Sequence, residues 1–188
     1  MRTIRSLFVL LPLALAAACS DNNGIGDATE LNVVDTLTLG ALEGTPISTP
    51  SAYRISTGPV RTDQTVDFEF AYNIRQLDDG SYQRVLLPRA ALGLVSTDQV
   101  NPGLQRREET FDDITRAQSN GYVADSAVPI QVGERYLVRS RVAACPTLGV
   151  PLYGKLEILS FQDSTVTFQV LANQNCGFKD LLPGLPAN

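Results

Sequence analysis

Alternation of apolar and polar residues dominates this chain, with the period of two that marks β-strands having one buried and one wet face. It is clearest at 65–74. There Val66, Phe68, Phe70, Tyr72 and Ile74 fall on one side and Thr65, Asp67, Glu69, Ala71 and Asn73 on the other. The same alternation recurs at 165–172, where Val166, Phe168 and Val170 oppose Thr165, Thr167 and Gln169. Further strands are predicted at 31–39, 51–57, 81–87, 90–95, 135–142 and 153–161, from their β-branched and aromatic content and the Gly, Pro, Asn or Asp clusters between them. Asp78-Asp79-Gly80 reads as a hairpin turn with glycine at the positive-φ position, which accounts for the paired acids without a metal or an acid–base pair. Only 108–118 (EETFDDITRAQ) suits a helix. Thr110 would cap it, Asp112 and Asp113 would complement its dipole, and Asn120-Gly121 would end it.

The last three strands read as a meander, with Gln162-Asp163-Ser164 as the tight turn between the second and third. The first and third strands of a meander run the same way, so Cys145 and Cys176 leave the sheet at the same end. Alternate strands stand roughly 9.5 Å apart, whereas a disulfide needs Cα atoms about 5.5–6 Å apart. The loops after those strands must lean together if the two cysteines are to bond. The resulting expectation is an all-β fold: an antiparallel β-sandwich or a partly closed barrel with one short helix and a C-terminal meander closed by a disulfide. The Pro-rich tail after Lys179 is expected to fray.

The first residues follow a different pattern. Met1–Ser6 carries Arg2 and Arg5, and Leu7–Ala18 is uncharged and broken only by Pro12. That run is too short to span a bilayer, which takes about 20 apolar residues, but it suits an export signal with small residues at its end. Ala17-Ala18-Cys19, with Leu15 just upstream, resembles a bacterial lipoprotein lipobox, departing from it at Ala16, where leucine is usual. The resemblance implies diacylglycerol on the Cys19 sulfur, cleavage before Cys19 and acylation of the new amine. Ser20, in place of aspartate, implies delivery to the outer membrane, with the face left open. The alternative is an ordinary signal cleaved after Ala16-Ala17-Ala18. The organisation is then a signal at 1–18, a lipidated flexible tether at 19–30 and a single β domain at 31–188.

Composition narrows the chemistry. The net charge of −5 becomes more negative when Arg2 and Arg5 leave with the signal, which argues against nucleic acid or anionic lipid as a partner. Arg106-Arg107 and the group Arg135, Arg139 and Arg141 are offset by Glu108, Glu109 and Glu134 and read as solvated faces. There is no histidine, which removes the commonest general base, the usual nucleophile partner and the usual zinc or haem ligand. With Cys19 lipidated, only Cys145 and Cys176 remain, and in an oxidising compartment they are expected to pair. No cofactor or metal is expected.

The block Tyr136–Asn173, through Tyr153-Gly154-Lys155-Leu156, resembles the end of HmuY-like lipoproteins, the haem-scavenging family of Bacteroidetes. That family's haem site uses paired histidines, absent here, so the resemblance implies an anchored β domain and no ligand residues. The whole chain is also similar to lipoproteins of environmental Gram-negative bacteria, which implies no activity.

These readings lead to a membrane-anchored, non-catalytic binding or interaction module. Its partner would be an envelope protein, a polysaccharide or a small apolar ligand. Tyr53, Tyr82, Tyr122, Tyr136 and Tyr153 are the aromatics available to line a site. The alternatives are a purely structural envelope component and a histidine-independent, glycosidase-like hydrolase drawing two carboxylates from Glu69, Asp112, Asp113 and Glu157. The cysteine reading has a direct check: Asp21–Asn188 exported to a periplasm should have an intact mass two units below the reduced value. A free-thiol mass would refute the closed meander.

Overall fold

The computed structural model describes residues 25–94, 100–145 and 148–187. Cys19, with the whole signal and lipobox, lies outside the described residues. Among the described residues, ten strands form two five-stranded antiparallel sheets. Sheet I runs β1 (Val33–Gly40), β10 (Thr165–Asn173), β9 (Tyr153–Gln162), β8 (Arg135–Arg139), β6 (Gly103–Arg107). Sheet II runs β3 (Gly58–Val60), β2 (Ala52–Arg54), β4 (Phe70–Gln76), β5 (Tyr82–Pro88), β7 (Val128–Pro129). They pack as a sandwich and do not close into a barrel.

The core between the layers draws on both sheets: Tyr53, Phe70, Tyr72 and Leu86 from sheet II meet Leu104, Tyr136, Leu156, Ile158, Val166 and Phe168 from sheet I. At its centre Tyr53 stacks on Phe70 with ring centroids 5.4 Å apart, and Phe168 meets Tyr53 edge-on at 5.9 Å. The C-terminal meander is present as β8–β9–β10. Cys145 and Cys176 form a disulfide with Cα atoms 5.7 Å apart, so the two loops do lean together. At Asp79 the hairpin acid accepts the Ser81 amide (2.9 Å) and hydroxyl (2.6 Å) while Gly80 takes φ 83°.

Several expectations fail for physical reasons. Residues 65–69 are not strand; β4 begins at Phe70, where pairing with Tyr53 starts. Residues 90–94 form no strand either. Arg89–Leu92 is one 3-10 turn closed by Gly93 in the left-handed region, and Leu92 and Leu94 pack on Ala52, Phe68 and Ala71 outside sheet II. Three strands escape the alternation. β3 and β7 are short edge strands that hold Pro59 and Pro129, tolerable only at an edge. β6 is the charged far edge of sheet I.

The helix expected over 108–118 does not form. The segment makes one turn, with the Ile114 amide donating to Thr110 O (3.1 Å), and is then captured by the C-terminal tail. Ala117 N donates to Lys179 O and Leu181 N to Thr115 O, both at 2.8 Å. The Phe111 and Ile114 carbonyls, which a helix would satisfy internally, instead accept from the buried Lys155 ammonium at 2.7 and 2.9 Å. Lys155 also lies over the Phe111 ring, 4.5 Å from its centroid. Phe111, Ile114, Ala117, Leu137, Tyr153, Leu171 and Leu181 thereby build a second core on the outer face of sheet I. The tail is consequently fixed, with Leu181 fully buried.

Lys155 is thus the pin of this outer layer. Burial lowers its pKa, and Asp112 and Asp180 act against that. Lys155→Met keeps the apolar stem but strips two buried carbonyls of their donor. It should lower stability by about 2–4 kcal/mol in urea unfolding. An unchanged midpoint would mean that the outer layer does not depend on the ammonium.

Candidate functional site

The sandwich is open where β1, the edge of sheet I, faces the β2–β3 hairpin at the edge of sheet II. Val33, Asp35 and Leu37 of β1 lie opposite Ala172, Val170 and Phe168 of β10, and directly paired residues share a face, so all three look between the layers. Only further along, at Leu39, does β1 become fully buried. The gap is a cleft of about 380 Å³. One wall is Leu31, Val33, Val34, Asp35 and Leu37, the other Tyr53, Ile55 and Thr57–Pro59, and Val170, Ala172 and Gln174 close the end. Its walls are mostly apolar, with Asp35, Tyr53, Thr57 and Gln174 as the side chains able to hydrogen-bond a guest.

Behind this cleft lies a buried acid. β2 ends at Arg54, leaving the Ile55 amide without a ladder partner, and Glu69 Oε2 accepts it at 2.6 Å. The Glu69 amide in turn donates to Tyr53 O at 2.8 Å. The wet face expected for Glu69 is therefore corrected: the chain is irregular before Phe70, and the carboxyl turns inward to stand in for a missing strand carbonyl. Burial, reinforced by Asp67, pushes its pKa up to about 7 against the opposing pull of the Ile55 amide and Arg54. Burial likewise raises the Tyr53 hydroxyl, with Glu69 and then Asp35 adding to it. Asp67 is held by Arg54 at 2.8 Å and by Arg141 at 2.9 Å, which ties the cleft floor to the end of β8.

The four carboxylates considered for hydrolysis do not converge. Glu157 is on the outer face of sheet I, accepting from Gln169 Nε2 at 2.6 Å with Arg135 at 3.6 Å. Asp113 accepts the Thr110 hydroxyl at 2.7 Å in the turn that replaced the helix, and Asp112 is exposed beside it. Glu69 belongs to the sheet II side. Among the described residues, no group of three or more His, Cys, Asp or Glu is placed to hold a metal.

Of the five tyrosines expected to be available to a site, Tyr53 alone lines the cleft. Tyr82 is exposed. Tyr136 donates to Glu134 at 2.7 Å, and Tyr122 lies under Arg139. Tyr153 belongs to the outer core and edges a smaller hollow of about 230 Å³ beside Ile25, Val150 and Gly177. A hollow of about 510 Å³ along Arg75–Asp79 has walls from that one stretch only and encloses nothing. The cleft residue that sequence reading passed over is Asp35. Its signal was present: an acid in the inward phase Val33, Asp35, Leu37, Leu39.

Comparisons of the chain with protein-family models, with curated proteins and with solved structures return no match.

Glu69 makes a pH signature. Below about pH 4.5 it is protonated in both folded and unfolded states and its full stability contribution is present. Between there and about pH 7 the unfolded chain releases the proton while the fold retains it, so stability falls as pH rises, by about 3 kcal/mol in total. Glu69→Gln keeps an acceptor for Ile55 and cannot ionise. Its stability relative to the parent should therefore improve by that amount between pH 4 and pH 8 in urea titrations. Parallel profiles for the two proteins would mean that the carboxyl is ionised inside the fold.

Proposed function

We propose that this chain is an envelope lipoprotein, held at the outer membrane by acyl chains on Cys19, whose β-sandwich is a non-catalytic binding module. The observation that carries the binding role is the cleft between β1 and the β2–β3 hairpin. A gap left between packed layers, apolar on both walls and supplied with a few polar groups, is the usual form of a small-molecule site, and 380 Å³ lies within the usual size range. The chemistry suits a compact, mostly apolar molecule that presents a hydrogen-bond donor or a positive charge to Asp35. The disulfide supports export, because a bond between Cys145 and Cys176 suits an oxidising compartment and accounts for the two cysteines other than Cys19.

Two measurements test the proposal. Native mass spectrometry of Asp21–Asn188, purified from a periplasm, should show a retained small molecule. Val33→Trp, which fills the mouth from an exposed position, should remove it. A clean apo mass for the parent after exposure to envelope extract would overturn the ligand-carrier role. Separately, Cys19→Ser in the full chain should move the protein from the membrane fraction to the soluble one, and an unchanged distribution would overturn the anchor.

A further inference from the structure

From Ile25 onward, the described part of the segment that precedes β1 is held against the fold. Asn175 Oδ1 accepts the amides of Thr29 and Glu30 at 2.8 and 3.0 Å, and Asn175 Nδ2 donates to Glu30 O at 2.8 Å. Ile25 packs against Gly177 and Val150, where a Cβ on Gly177 would come within 2.8 Å of the isoleucine. From Cys19 to Ile25 is six peptide steps, which reach at most about 20 Å. A lipid on Cys19 therefore keeps this end of the sandwich close to the bilayer.

An apolar ridge stands at the same end. Asn32 and Gly184 form a two-way antiparallel bridge, 2.8 and 3.0 Å. Asn32 turns to the outer face of sheet I, donating to Asp180 O and Leu182 O at 3.0 Å each. Its neighbours Leu31 and Val33 then point to the opposite face, the cleft side, and the bridge register sets Leu185 across from Leu31 and Pro183 across from Val33. Leu31, Val33 and Leu185 are each 60–65% exposed, and Pro183 is exposed beside them. Four adjoining apolar side chains facing water call for a cover.

We propose that the ridge of Leu31, Val33, Pro183 and Leu185 lies on the surface of the same bilayer that holds Cys19, so that the domain rests end-on with its cleft mouth at the lipid interface. This rests on the anchor reading above. The contact is apolar in kind, because the charges nearest in sequence, Asp27, Glu30 and Asp35, are acidic and would repel anionic headgroups. Leu31 and Val33 also form the outer lip of the cleft, so a ligand would enter from the lipid side.

The chain has no tryptophan, which makes a single introduced one a clean reporter. Full-length, acylated Leu185→Trp is reconstituted into phosphatidylethanolamine/phosphatidylglycerol vesicles bearing brominated acyl chains. Its emission should shift to the blue and be quenched, and added salt should not reverse this. Leu31→Trp should behave alike and serves if the first variant misfolds. Tyr82→Trp is the control. It is exposed next to Arg84, which donates to Asp163 O in the β9–β10 turn, a strand length of about 30 Å from the ridge, and it should remain unquenched. Protein that floats with the vesicles, carries its acyl mass and shows no quenching at either ridge position overturns the inference while leaving the anchor intact. A blue shift without bromolipid quenching overturns it in favour of a protein partner or a second copy. Failure to float, with no acyl mass, overturns both.

Discussion

Each sheet of this protein has an inner face too apolar for water, and neither can bury that face without the other. Tyr53 and Phe70 from sheet II and Phe168 from sheet I meet at the middle of the contact, their rings within about 6 Å of one another. Aromatic contacts of this geometry add to the area they bury. They also hold β2 and β10 in register across the gap. The opening at the sandwich edge depends on that registration, because Tyr53 is both a core residue and the cleft floor.

Sheet I is covered on its other face as well. The tail, the turn at Phe111–Ala117 and Lys155 form a lid over Leu137, Tyr153 and Leu171. On the inner face, Gly154 lets β9 and β10 pack closely, since a side chain there would strike the Leu171 carbonyl at 2.9 Å. With sheet I enclosed on both faces, the place where strands remain accessible between layers is the edge at β1. An inward Asp35 keeps that edge wet and works against closure by another strand, since a buried charge without a partner is costly.

The disulfide, the Asn175 clamp and the Asn32–Gly184 bridge lie at one end of sheet I, where β10 finishes and β1 starts. Covalent and hydrogen-bonded restraints are concentrated at the end that leads to Cys19. At the opposite end the β4–β5 and β9–β10 turns are joined by Arg84, which donates to Asp163 O at 3.3 Å and lies over the Phe161 ring.

Much of the architecture was legible beforehand because it depends on short-range pattern. Val166, Phe168 and Val170 alternate, Asp79-Gly80 can only turn, and the meander places Cys145 beside Cys176. These follow from side-chain geometry that each strand carries locally. The helix expected at 108–118 has real local propensity, but its Phe111 and Ile114 carbonyls are claimed by Lys155, and its Ala117 amide and Thr115 carbonyl by the tail, partners roughly 40 and more than 60 residues away. Glu69 was misread for a similar reason: only the unpaired Ile55 amide, supplied by another strand, draws its carboxyl inside. The sequence by itself determined the class of fold, the cysteine pairing and the acidic, histidine-free chemistry. Which edges stay open, which acid is buried and which leucines form the ridge were decided by tertiary structure, because each depends on a backbone group or side chain from a distant segment arriving at the right place.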